Sequence, residues 1–276
     1  MKKFRTVHYT IHTDKIKDTR GVRFLVLADL HGLEFGEKNK DLLAAVDRYR
    51  PDGILLAGDM IVRKEAESFE TAKNVLKILA EQYPVYYGLG NHEYALYSED
   101  PQTHEFAKRY QEYEKDLKMA GVCFLHNADE DILIGENRLR IYGLEIPRIY
   151  YKKPCSPKLP ADEIAELIGE PDKEVLNILL AHNPKYGNAY FEWGADLILS
   201  GHYHGGAFRL NRHWGVISPQ FQLLPAFCCG DFHRGRQHML VSAGMGEHSI
   251  PIRIHNPREL LVVDLKSAKT DRNSGK

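Results

Sequence analysis

Short apolar runs recur along the chain, and most of them stop at a polar or glycine residue before a segment with helical spacing begins. "VRFLVLAD" (22–29) predicts a buried strand that ends on a carboxylate. Leu42, Ala45, Val46 and Tyr49 then share one helical face until Pro51 closes the segment. "GILLAGD" (53–59) repeats the strand, and Phe69, Ala72, Leu76 and Leu79 predict the next helix. "PVYYGLGNHE" (84–93) is a third run of strand, glycine and polar end.

The charged, aromatic stretch 94–119 is expected to be helical from about Thr103, standing over a site as a cap or lying as a surface helix. Short runs at 122–125, 132–134 and 139–144 precede a helical "ADEIAELI" (161–168). "EVLNILLAHNP" (174–184) and "ADLILSGHYH" (195–204) again join a buried strand to a polar end. "HMLVSAGMG" (238–246) and "ELLVVDL" (259–265) close the set. Such alternation points to βαβ units and a largely buried sheet. No repeat of fixed period occurs, and "KSAKTDRNSGK" (266–276) is expected to be a disordered tail.

Composition narrows the class without changing that picture. A chain of 276 residues sits near the upper size for one core, and a single domain over 1–265 is the expectation. Hydrophobic residues make up 43% and charged residues 27%, as in a soluble globular protein. The formal net charge of -1 lacks the basic balance of a dedicated nucleic-acid binder, so no nucleic-acid partner is expected. Cys123, Cys155, Cys228 and Cys229 show no CxxC spacing, which removes a zinc ribbon or a thioredoxin-like motif and favours a reduced compartment. The adjacent pair Cys228 and Cys229 would form only a strained disulfide. Residues 1–21 contain no apolar run long enough for a signal peptide or membrane span. The chain as given is therefore expected to be cytoplasmic.

The chemistry lies at the strand ends. "ADLH", "AGDM", "LGNHE", "LAHNP" and "SGHYH" together supply Asp29, His31, Asp59, Asn91, His92, His182, His202 and His204. Side chains at the carboxyl ends of neighbouring strands converge in sheet-centred folds. Gly58, Gly90 and Gly201 suit tight turns that bring backbone close to a site.

In this order, the blocks DxH, GD, GNH followed by an acid, a lone His and GHxH resemble the calcineurin-like metallophosphoesterases. "SGHYHGG", "LLAHNP" and "VSAGMGEHSIPIRIHNPRELLVVDL" are similar to the bacterial branch typified by YkuE and YaeI. The resemblance implies an α/β fold of four layers, an αββα sandwich of two mixed β-sheets flanked by helices. It implies hydrolysis of a small-molecule phosphoester, more often a phosphodiester, by water or hydroxide held between two divalent ions.

Two ions about 3.5–4 Å apart need a shared carboxylate, for which Asp59 is the candidate. The family resemblance implies that Asp29, His31 and His204 complete one ion's shell and Asn91, His182 and His202 the other's, with Tyr203 pointing away. Mixed imidazole and carboxylate ligands suit manganese, iron, zinc or cobalt without singling one out; the expected cofactor is two divalent ions, Mn2+ ahead of Fe or Zn2+. His92 is implied as the catalytic residue that protonates the leaving oxygen or steadies the transition state; Glu93, where relatives often carry Asp, is a candidate to orient it.

Competing readings are a protein-binding scaffold without catalysis and a nuclease of the same superfamily. Retention of every ligand position argues against the first, and the near-neutral charge against the second. Members of this branch often carry an export or membrane segment ahead of the first strand, so an exported or membrane-associated form is the alternative if the N-terminus has been trimmed. "IPRIYYKKP" (146–154), with Arg148, Lys152 and Lys153 beside Tyr150 and Tyr151, is a solvated loop or a contact for phosphate or a base. "QFQLLPAFCCGDF" (220–232) is core packing, a cleft wall or a lipid contact.

Overall fold

Runs buried on both sides set the centre of the molecule, because a strand with apolar side chains on both faces must be covered on both faces. The structure is a computed structural model that describes residues 2–152, 155–206, 209, 225–247 and 253–268. Its first half runs β1 (Phe4–Thr13), β2 (Val22–Leu27), α1 (Lys40–Tyr49), β3 (Gly53–Ala57), α2 (Ala66–Ala80), β4 (Val85–Gly88), α3 (Asn91–Tyr97), α4 (Glu105–Met119) and β5 (Val122–Phe124). The second half runs β6 (Ala128–Ile134), β7 (Asn137–Gly143), α5 (Ala161–Ile168), β8 (Leu176–Leu180), α6 (Gly187–Trp193), β9 (Leu197–Ser200), β10 (Gly230–Arg234), β11 (Gln237–Val241) and β12 (Arg258–Ser267).

Two six-stranded sheets result, ordered β1-β12-β2-β3-β4-β5 and β10-β11-β9-β8-β7-β6. Both are mixed. In the first, only the β12–β2 pairing is antiparallel. In the second, the outer pairs β10–β11 and β6–β7 are antiparallel around a parallel centre.

Three apolar clusters glue four layers together. Leu25, Ile54 and Tyr87 of the first sheet pack on Val46, Phe69, Tyr113 and Leu117 of α1, α2 and α4. Phe24, Val26 and Leu55 on its other face meet Ile141, Ile178 and Leu199 of the second sheet. Leu179, Ile198 and Met239 then face Ile164, Ile168, Phe191 and Trp193 of α5 and α6. This is the αββα sandwich.

Two expectations from the sequence change. Segment 105–119 does not cap a site: Tyr110, Tyr113 and Leu117 are buried against the first sheet, so α4 is a member of its helix layer. The strand set also gains β1 and β10. The last strand continues through Ser267, and the expected tail beyond Ala268 lies outside the described residues, as do Lys153, Pro154 and 220–224. Within 225–232, Cys228 and Cys229 are buried, and Phe227 packs partly on the second sheet's helix side, which is core packing. None of the four cysteines forms a disulfide. Among the described residues, no helix is long and apolar enough to cross a membrane.

Candidate metal centre

The parallel strands β2, β3 and β4 of one sheet and β8 and β9 of the other all end at the same edge of the sandwich. Asp29 follows β2, Asp59 follows β3, and Asn91 and His92 open α3 after β4. His182 follows β8, while His202 and His204 follow β9. The two loops of the first sheet are zipped to each other by Asp29 N–H to the Gly58 carbonyl (2.9 Å) and His31 N–H to the Asp59 carbonyl (3.1 Å).

Two bonds tie the sheets together at this point. The His202 N–H donates to Asp29 Oδ1 at 3.0 Å, and His182 Nδ1 donates to the Ala57 carbonyl at 2.7 Å. The backbone is strained where the groups converge: Asp29, His31, Asp59, His202 and His204 all hold φ between 48° and 66°. Non-glycine residues avoid that region unless the surroundings enforce it.

The glycines act mainly by making room. A Cβ on Gly90 would lie 2.1 Å from Asp59 Oδ1, and one on Gly58, whose φ is 86°, would lie 2.6 Å from His182 Nδ1. Neither position admits a side chain.

Three overlapping groups of donors result: Asp29 with His31 and His204; Asp59 with His182 and His202; and His31 with Asp59 and His92. Within each group the donor atoms lie within 4.8 Å of one another. Asn91 Oδ1 is buried and accepts no hydrogen bond. Tyr203 is buried, with its ring centroid 5.8 Å from that of His202.

The spacing of the donors meets the requirements of a cation. With bonds of about 2.0–2.2 Å, two ligands on one ion stand roughly 3.0–3.5 Å apart. His31 Nε2 and His204 Nε2 are 3.2 Å apart, and His204 Nε2 and Asp29 Oδ1 are 3.4 Å apart. Because a carbonyl only accepts, His182 carries its proton on Nδ1, and its Nε2 lone pair faces Asp59 Oδ2 at 3.1 Å. Two acceptors that close need positive charge between them. The residues fit.

The proton affinities carry the same message. Burial pushes the Asp29 carboxyl up to about 7 against the pull of His182. Burial also opposes ionisation of Asp59, yet His182 and His92 together hold it well below the usual carboxylate range. His31 is driven down to about 3 by burial, which keeps its ring neutral. His182 would be lowered by burial but is lifted to about 10 by Asp59 and Asp29. Without a cation, a proton on His182 supplies the missing charge.

His92 and Glu93 divide their work differently from the sequence expectation. The Arg63 N–H donates to His92 Nδ1 at 3.0 Å, so the neutral ring keeps its proton on Nε2. Glu93 does not touch His92. Its buried carboxylate accepts the N–H groups of Asp59 (3.0 Å), Met60 (2.7 Å), Ile61 (3.2 Å) and Gly90 (3.0 Å) and the Tyr87 hydroxyl (2.9 Å). It shapes the Asp59 loop instead.

The family model described as calcineurin-like phosphoesterase matches residues 22–206, a span that contains every one of these groups. The chain belongs to the calcineurin-like phosphoesterase family. The chain is 24% identical to Bacillus subtilis YpbG over 94% of its own length and 87% of that protein's. Against phosphodiesterase YaeI of Escherichia coli the identity is 29% over 81% and 75% of the two chains. Bacillus subtilis YkuE is 22% identical over 90% and 80%. A Caenorhabditis elegans metallophosphoesterase relative is longer, and the chain spans 53% of it. Among solved structures, a Staphylococcus aureus protein described as a 5'-nucleotidase superposes with a TM-score of 0.51 at 12% identity, covering 91% of this chain and 55% of that one. That likeness concerns the fold alone.

Sequence reasoning missed the supports of the HxH loop. Asn256 donates from Nδ2 to the His204 carbonyl (2.5 Å) and the Gly206 carbonyl (2.8 Å). Arg253 donates to the carbonyls of Ala243 (2.8 Å) and Gly246 (2.7 Å), and its Nη2 lies 3.3 Å from His204 Nδ1. Nothing in "RIHNP" marks that role, since it depends on a loop some fifty positions upstream.

Proposed function

We propose that the protein hydrolyses phosphoesters, diesters in preference to monoesters, at a centre of two divalent cations. Asp29, His31 and His204 hold one, Asn91, His182 and His202 hold the other, and Asp59 is shared. The observation that carries this reading is the convergence of Asp29, His31, Asp59, His182, His202 and His204, all buried or half-buried, on gaps of ligand-to-ligand size, beside the buried Asn91 Oδ1. The similarity to a protein named phosphodiesterase YaeI supports the diester preference. Imidazole, carboxylate and amide oxygen together suit manganese, with iron or zinc as alternatives.

When bound, such a pair of ions supplies Lewis-acid polarisation of the phosphoryl group and a water acidified toward neutrality. The chain supplies the rest. Asp29 and Asp59 are buried, which keeps bulk water from screening the charges they gather. His182 is locked in the tautomer that leaves Nε2 free to ligate by its bond to Ala57. His92, fixed through Nδ1, presents the Nε2 proton and gives it to the leaving oxygen.

The test is metal content and turnover together. After manganese loading, two ions per chain and hydrolysis of bis(p-nitrophenyl) phosphate are expected. The Asp59→Asn variant should bind fewer ions and lose most turnover. Wild-type activity in that variant would overturn the bridge, and fewer than one ion per wild-type chain would favour a scaffold.

A further inference from the structure

A cavity of about 410 Å3 opens beside the metal centre, and Asn91 forms part of its wall. Its other walls are unlike the centre. Arg63, Arg148 and Lys152 line it together with Tyr94 and Tyr151, and no acidic residue does so among the described residues. Tyr151 joins the two spaces, packing edge-on against His202 with ring centroids 5.5 Å apart.

The three cations are poorly neutralised. Neither Arg63 nor Lys152 is ion-paired with a described residue, and Arg148 has only a loose contact, 3.6 Å, with Glu99, which also serves His104. Like charges gathered in a concave pocket repel one another and raise the local concentration of anions. Of the proposed ligands, only Asn91 borders this cavity. The reacting phosphorus belongs at the carboxylates, so these cations face what lies beyond it. A volume of this size exceeds what a lone phosphoryl group needs and falls within the range of small-molecule sites.

We propose that this cavity receives a second phosphoryl group of the substrate, so that the preferred substrates are small phosphoesters bearing two phosphoryl groups. This rests on the phosphohydrolase reading of the adjoining centre. Arg63 and Arg148 provide planar forks for phosphate oxygens, Lys152 adds a point charge, and Tyr94 and Tyr151 flank the organic part. Arg63 also joins the two sites through the chain, since its backbone N–H holds His92.

The test compares two probes that differ only in the second anion: propylphosphonate and propane-1,3-bisphosphonate. Binding to the manganese-loaded protein is measured by calorimetry in wild type and in the double variant Arg148→Ala/Lys152→Ala. Arg148 and Lys152 are exposed, so the fold should survive, which a thermal melt checks. Wild type should favour the bisphosphonate, and the double variant should lose about tenfold or more of that preference. Equal weakening of both probes, an unchanged preference, or no binding of either probe to wild type would overturn the proposal. Turnover separates it from the parent reading. A protein inactive on bis(p-nitrophenyl) phosphate that still discriminates the probes refutes the hydrolase and keeps the pocket; an active protein without discrimination does the reverse.

Discussion

His92 and Glu93 are neighbours in sequence with separable duties, and substitution should part them. His92→Ala removes a proton donor while leaving the donors around Asp59 intact. The expected loss in kcat is about 100- to 10,000-fold, with metal content unchanged by emission spectroscopy; a matching loss of metal would make His92 a ligand instead. Glu93→Gln acts on the fold. Four backbone N–H groups point at this carboxylate, and an amide turns its own N–H toward some of them. Leaving such buried donors unmet costs roughly 1–3 kcal/mol, read as a lower Tm. Because the same loop carries Asp59, metal affinity should also fall about 10- to 100-fold. The residue types of the centre were legible in the sequence because each sits directly behind an apolar run. The partner of Glu93 was not, since a carboxylate next to a histidine says nothing about which of two backbones it faces.

Between elements, a half-buried ion relay joins the helix layer to the second sheet. His126 lies after β5, with Nε2 2.9 Å from Glu114 of α4 and Nδ1 2.8 Å from Glu145 in the segment after β7. Burial opposes the imidazolium, but the two carboxylates outweigh it and lift His126 to about 9 from 6.5. A value raised on folding means that stability is fully present below pH 6.5 and is lost as pH rises through 9. The Tm difference between wild type and His126→Gln should therefore be large at pH 6 and small at pH 10; a constant difference would mean that packing against Tyr97 and Phe124 is the whole effect. His126 gave no signal in the sequence, where it is one histidine among many. The same limit explains β1. Its residues Phe4–Thr13 mix polar and apolar side chains on both faces, and its pairing partner is β12, some 250 positions away. Apolar runs such as β3 and β8 announce themselves locally, whereas an edge strand is defined by what it pairs with.

At the scale of the molecule, each sheet holds only part of the centre. Asp29, Asp59, Asn91 and His92 come from the first sheet and His182, His202 and His204 from the second, so neither sheet alone makes a site. The order of the motifs was readable along the chain, but their division between two sheets was not, because it follows from pairings such as β12 with β2 that close only in three dimensions. Cations held in this position would cross-link the two halves, offset the repulsion between Asp29 and Asp59, and stabilise five residues held at positive φ. They would bind the folded chain alone, since the unfolded chain scatters the ligands. An ion present at a hundred times its Kd then adds about 2.7 kcal/mol to stability. For a chain of this size, that corresponds to a rise in Tm of roughly 5–10 °C. Chelation should lower the melt of the loaded protein by this amount and restoring manganese should recover it, while Asp59→Asn should respond much less. Amide exchange should quicken first in the loops after β2, β3 and β9. A melt that ignores chelator in a protein shown to have held two ions would mean that the sheets, through contacts such as His182 with Ala57, carry the centre unaided.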